Sequence, residues 1–109
     1  MKIVESLSLS IENSGKEIIY FYRLTEYKTK KGQVFGVEVE RQDIINDRVT
    51  NIERDYVDII STKEENVRNI LELLYKNNVS PIHLIDVIGE YIDNLVEDFN
   101  DEEDLVEVM

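Results

Sequence analysis

Residues 17–27, EIIYFYRLTEY, decide how this chain is read. β-Branched and aromatic residues dominate the stretch, and such side chains fit a pleated surface. At strand spacing Ile18, Tyr20, Tyr22 and Leu24 share one face, and Ile19 and Phe21 share the other. Apolar residues on both faces predict a central strand, or one whose second face meets another subunit. Neighbouring segments alternate in the same way. In residues 3–11, Ile3, Leu7, Leu9 and Ile11 point one way, with Glu5 as an exception, while Ser6, Ser8 and Ser10 point the other. Residues 33–41 set Phe35, Val37 and Val39 inward and Glu38 and Glu40 outward. Gly36 within them predicts a bulge or a close backbone approach. Residues 49–60 supply a fourth strand or strand pair. Residues 12–15, 28–32 and 43–47 read as the connections.

After Ile60 the period changes. Ser61 with Glu64 and Thr62 with Glu65 form two overlapping capping-box patterns. Val67, Ile70, Leu71 and Leu74 then follow at i, i+3, i+4 and i+7, which predicts a helix near 62–77. Asn77 and Asn78 suit a left-handed stop. Residues 80–100, SPIHLIDVIGEYIDNLVEDFN, are the longest amphipathic segment, with Ser80 as N-cap and Pro81 at the first helical position. The apolar stripe is Ile85, Ile88, Ile92, Leu95 and Phe99, widened by Leu84, Tyr91 and Val96, which predicts a helix over 81–99.

The short link between the two helices predicts an antiparallel pair. The expected architecture is therefore α+β. A single domain over residues 1–99 carries a four-stranded antiparallel meander sheet, followed by an antiparallel two-helix hairpin packed on one face. Residues 100–109 read as an acidic tail that opposes the helix macrodipole and frays.

Composition narrows the function classes. The chain has 109 residues, a net charge of −12 and no cysteine. Disulfides, thiolate metal sites and cysteine nucleophiles are excluded. Residues 1–62 hold 9 basic and 11 acidic side chains, and residues 63–109 hold 3 and 13, so the negative charge sits in the second part. That balance argues against binding nucleic acid, where Lys and Arg must neutralise phosphates, and against anionic lipid. The start, MKIVESLSLS, lacks a signal-peptide pattern, and no apolar run approaches the roughly 20 residues of a membrane span. A cytoplasmic protein is expected.

Four constellations invite chemistry. His83, Asp86 and Glu90 fall on one helical face, but bundle metal sites draw ligands from several helices, and no second His exists. Neither a metal nor a cofactor is expected. Asp86, Glu90, Asp93 and Glu97 form an acidic row with no Lys or Arg after Lys76. Acid–base catalysis needs carboxylates whose environments separate their pKa values in a cleft, and a solvated row does not supply that. Lys28, Lys30 and Lys31 are a basic cluster without a glycine-rich phosphate loop. Tyr20, Tyr22 and Tyr27 would line a groove or, as is commoner at strand spacing, pack a sheet face.

Two segments carry a resemblance: Phe35-Gly36-Val37-Glu38-Val39, and Asn78-Val79-Ser80-Pro81-Ile82-His83-Leu84-Ile85-Asp86-Val87-Ile88. With the Ser61-Thr62 helix start between them, the chain resembles a family of short proteins of unknown function from spore-forming Gram-positive bacteria. The resemblance covers most of residues 1–95 and ends before the tail. It implies a bacterial cytoplasm and supplies no catalytic residue.

The leading expectation is a non-enzymatic interaction or regulatory module that forms a homodimer. Its Asp86, Glu90, Asp93 and Glu97 would face a basic protein partner. The alternatives are a small-ligand domain using the tyrosine-rich strand, and an acidic mimic of nucleic acid that occupies a basic protein.

Overall fold

A computed structural model describes the backbone of residues 1–94 and the side chains of residues 1–90. Four strands follow in order: β1 (Lys2–Asn13), β2 (Lys16–Thr29), β3 (Gly32–Ile45) and β4 (Arg48–Ser61). They form one antiparallel sheet in the order β1-β2-β3-β4. The helix α1 (Glu64–Lys76) and a 3₁₀ turn (Pro81–His83) running into α2 (Leu84–Asn94) follow, so the class is α+β.

Sharp connections keep the strands long. Ser14 and Gly15 turn the first hairpin, and Asn46 and Asp47 the third, all four with positive φ. Two such residues give the turn whose twist matches the flanking strands. The expected connection over 43–47 is therefore only Asn46-Asp47. Asp43 lies inside β3, buried at 5% exposure, where its carboxylate binds Arg41 at 2.8 Å and Lys16 at 3.2 Å.

One face of the sheet builds the core. Tyr20, Tyr22 and Leu24 of β2 join Phe35, Val37 and Val39 of β3, Ile60 of β4, and Val67, Ile70, Leu71, Leu74, Leu84 and Ile88 of the helical part. The α1 residues are those the period singled out. The Tyr22 hydroxyl donates to the Val79 carbonyl at 3.0 Å, so a core tyrosine ties the inter-helix link to the sheet. A 14-residue strand spans roughly 46 Å, whereas α1 spans about 20 Å and matches less than half of that length.

Two bulges explain what alternation left odd. The register of β1 slips between Ile3 and Glu5, which places Glu5 opposite Leu24 on the core face. There its carboxylate pairs with Arg68 of α1. The register of β4 slips opposite Gly36, between the pairs Phe35–Ser61 and Val37–Val57. A Cβ on Gly36 would stand 2.0 Å from the Val57 carbonyl oxygen and 2.4 Å from that of Asp58, so the bulge sits directly against the glycine.

Helix starts and the rotation of α2 differ from expectation. The cap position of α1 is Lys63, with no side-chain cap bond, one residue past Thr62 and two past Ser61. Instead Ser61 Oγ accepts from the Lys63 amide at 3.0 Å in a turn preceding the helix. Ser80 caps only through its backbone: its carbonyl accepts from His83 N at 3.0 Å, and Pro81 takes the first position as expected. Asn78 adopts the left-handed conformation that ends α1. On α2 the buried positions are Leu84 and Ile88, while Ile85 is 56% exposed. Leu84 and Ile88 lie about one turn apart, so the buried stripe of α2 runs along them and Ile85 falls on its exposed flank. Tyr91, Ile92, Leu95, Val96 and Phe99 lie outside the described side chains, as do residues 100–109.

Candidate functional site

The sheet face opposite the core is the chemically distinctive surface. Register sets three rows across it: Ser6, Arg23, Glu38 and Tyr56; Ser8, Phe21, Glu40 and Arg54; and Ser10, Ile19, Gln42 and Ile52. In the middle two guanidinium groups meet two carboxylates. Arg23 Nη1 donates to Glu38 Oε1 at 2.6 Å and to Glu40 Oε1 at 3.2 Å. Arg54 grips Glu40 Oε1 through Nε at 3.0 Å and Nη2 at 2.5 Å. Gln42 Nε2 donates to Glu40 Oε2 at 2.6 Å. The Arg23 guanidinium also lies 5.1 Å from the Phe21 ring centre, in cation–π range.

Glu40 is only 3% exposed although it points away from the helices. Burial alone would push its carboxyl up. The bonds from Gln42, Arg54 and Arg23 outweigh burial and hold it below the ordinary value of 4.5. A carboxylate kept ionised by guanidinium groups does not exchange protons near neutrality, and those guanidinium groups already hold anions. The cluster is a fixed, self-neutralised plate.

Apolar side chains rim this plate on its β4 side. Val49, Ile52 and Tyr56 are 50%, 55% and 56% exposed. Beside β4, Pro81 and Ile82 share a shallow depression with Glu53, Arg54 and Asp55. Ile82 is exposed, as is Ile85 one turn further on. Strand β4 is also a sheet edge. The Tyr56 amide bonds Asp55 Oδ1 at 2.9 Å, so it points away from β3, and by alternation the backbone groups of Arg54 and Ile52 do the same. The second edge, β1, shows Ser6, Ser8 and Ser10 outward and contains the bulge before Glu5.

The residues singled out from sequence fall as follows. Asp86 and Glu90 are exposed and line, with His83, Leu73 and Val87, an open depression beside α1. Asp93 has its backbone in α2, but its side chain and all of Glu97 lie outside the described residues. No group of three or more His, Asp or Glu among the described residues is placed to hold a metal. Lys28, Lys30 and Lys31 are exposed around the β2–β3 turn. Tyr20 and Tyr22 are buried in the core, and Tyr27 donates to Asp58 Oδ1 at 2.9 Å. The tyrosine-rich strand therefore packs a sheet face. Burial first, and the Asp58 carboxylate second, push the Tyr27 hydroxyl up to about 12. The β4 patch and the charged plate escaped sequence reading. Their signal was present as Arg23, Glu38, Glu40 and Arg54, charges recurring at strand spacing on three adjacent strands.

The model of one protein family, described as a family of unknown function (DUF6514), matches residues 1–94. The chain belongs to DUF6514. The matched region takes in the sheet, α1 and the described residues of α2. No curated protein and no solved structure matches the chain. No helix among the described residues is long and apolar enough to cross a membrane.

Proposed function

We propose that this DUF6514 protein is a non-enzymatic interaction module of the bacterial cytoplasm, whose two helices form an antiparallel hairpin over the core face and whose binding surface is β4 with the start of α2. The observation that carries the reading is the row of exposed apolar side chains Val49, Ile52 and Tyr56 along the open face of the edge strand β4, with Ile82 and Ile85 exposed on the helical side of the same edge. Single exposed apolar residues are ordinary, whereas a group of them beside an open strand edge marks an interface. The surface works by displacing water from these side chains around an ion-paired plate that needs no neutralising partner. Asp86, Glu90, Asp93 and Glu97 serve this module as a steering face that speeds the approach of a basic protein and repels acidic ones.

Sedimentation velocity of the full chain from low to high micromolar concentration tests the reading. Mass above that of the 12.8 kDa chain is expected. A single 12.8 kDa species throughout, together with a rise in melting temperature on adding a metabolite, would overturn it in favour of a small-ligand domain.

A further inference from the structure

We infer that the turn end of the open sheet face takes an amphipathic helix of a basic partner protein, laid across Ile19, Ile44, Val49 and Ile52 with its Lys or Arg flank toward Glu12 and Glu17; this rests on the interaction reading above and carries its surface inward from β4 over β3 and β2. Register brings the apolar residues together. Ile19 lies in one row with Gln42 and Ile52, and Glu17, Ile44 and Val49 form the next. Phe21 adjoins them on β2, and all five apolar residues share the face opposite the core. None of the five belongs to the core cluster or packs against it. Ile52 and Val49 are 55% and 50% exposed, and Ile19, Phe21 and Ile44 are half-buried. A sheet that is apolar on both faces needs a layer on both. The described helices build the core on the other face.

Two observations set the chemistry of the missing layer. The first is shape. The patch runs about 13 Å along the strands, from Phe21 to the row of Ile44, and about 10 Å across them, from β2 to β4. Its diagonal of about 16 Å is that of three helical turns, and a helix is a common layer on a sheet face.

The second is charge. Glu12 and Glu17 stand directly opposite each other across β1 and β2, on the same face as the patch. Like charges so placed repel. With Ile44 and Asp47 they line an open depression between the two hairpin turns. Ser10 Oγ donates to Glu17 Oε2 at 2.6 Å but brings no charge. No described Lys or Arg pairs with Glu12, Glu17 or Asp47: Lys16 reaches Asp43 instead, and Arg23 and Arg54 hold Glu38 and Glu40. A Lys or Arg brought by a partner neutralises the opposed carboxylates, while the apolar side of the same helix covers the stripe. A second copy is the poorer occupant, because it adds a chain of net charge −12 whose open-face guanidinium groups are already engaged. Val49 and Ile52 also belong to the β4 surface, so a helix bound here displaces any copy held through them.

A synthetic amphipathic helix of Leu and Lys, titrated into the full chain labelled at its isoleucine methyl groups, tests the proposal by nuclear magnetic resonance. The Ile19, Ile44 and Ile52 signals should move, while those of Ile60 and Ile70, inside the core, stay in place. Ile44→Ser should weaken binding roughly tenfold. The double variant Glu12→Gln, Glu17→Gln should weaken it severalfold at low salt and less at high salt. A helix of Leu and Glu should not bind. Equal affinity for the Leu–Glu helix would overturn the docking, as would shifts confined to Ile82 and Ile85, beside the acidic face of α2. Wild-type chain that sediments above 12.8 kDa while Ile19 and Ile44 stay unmoved by the Leu–Lys helix would overturn the docking and leave the interaction reading standing. A single 12.8 kDa species that binds neither helix would overturn both.

Discussion

Replacing Glu40 with Gln keeps the side-chain volume and removes the charge on which the open-face plate is centred. Four hydrogen bonds converge on the Glu40 carboxylate, three of them from guanidinium groups. Bonds to a charged group contribute about 1.5–3 kcal/mol each, and losses within one network do not add. Two features hold the cost down. Arg23 keeps Glu38 at 2.6 Å, and the Arg54 side chain, 53% exposed, regains water. Against this, the Gln42 amide faces a second amide where a carboxylate stood. The net expectation is a loss of about 2 kcal/mol at pH 7, which for a domain of this size lowers Tm by roughly 8–16 °C.

The assay is urea unfolding followed by circular dichroism at pH 7 and at successively lower pH. The folded-state pKa of Glu40 is depressed, so its contribution is fully present above the unfolded value and is lost as pH falls through the folded one. Asp43, held low first by its bond from Arg41 and then by Lys16 against burial, titrates in both proteins and cancels from the comparison. Wild type and variant should therefore converge as the medium becomes acid. A loss below about 0.5 kcal/mol at pH 7, the level of ordinary surface changes, would refute the reasoning. A gap that persists unchanged in acid would refute it equally.

Three further outcomes are expected. Gly36→Ala should lower the urea midpoint by an amount equivalent to about 3 kcal/mol or more, because the bulge carbonyls of Val57 and Asp58 occupy the Cβ position; a stability within error of wild type would mean that the bulge is placed wrongly. Tyr22→Phe should cost about 1–3 kcal/mol in the same assay, since the Val79 carbonyl loses its donor inside the core. The double variant Asp86→Asn, Glu90→Gln should stay within about 0.5 kcal/mol of wild type, while its binding to a basic peptide weakens more at low salt than at high salt. Loss of fold in that variant would place the two carboxylates in bonded positions and remove the steering role.

Legibility in the sequence followed the strength of each period. The strands, the Gly36 bulge, the Asn78 stop and the buried face of α1 were readable because alternation, a lone glycine and the Val67–Ile70–Leu71–Leu74 spacing each admit one local solution. The N-terminal cap of α1 was not, since Ser61 and Thr62 offered equivalent patterns and Ser61 instead bonds the Lys63 amide in a turn. The rotation of α2 was missed because Leu84, Ile85 and Ile88 are all apolar, so spacing alone did not choose between a stripe along Ile85 and one along Leu84. The plate was missed for a different reason. Glu40 looks like an outward strand residue until register sets Arg54 directly across from it, and register is a property of two strands that neither sequence shows alone.

Hydrogen exchange at the Ile52 and Arg54 amides, followed as protein concentration rises, tests the interaction surface most directly. Both amides point away from β3 and have no strand beside them in the single copy. The account predicts fast exchange in dilute solution and protection that grows with concentration, while amides inside β2 stay protected throughout. Fast exchange at Ile52 and Arg54 at every concentration, in a sample that nevertheless self-associates, would contradict it.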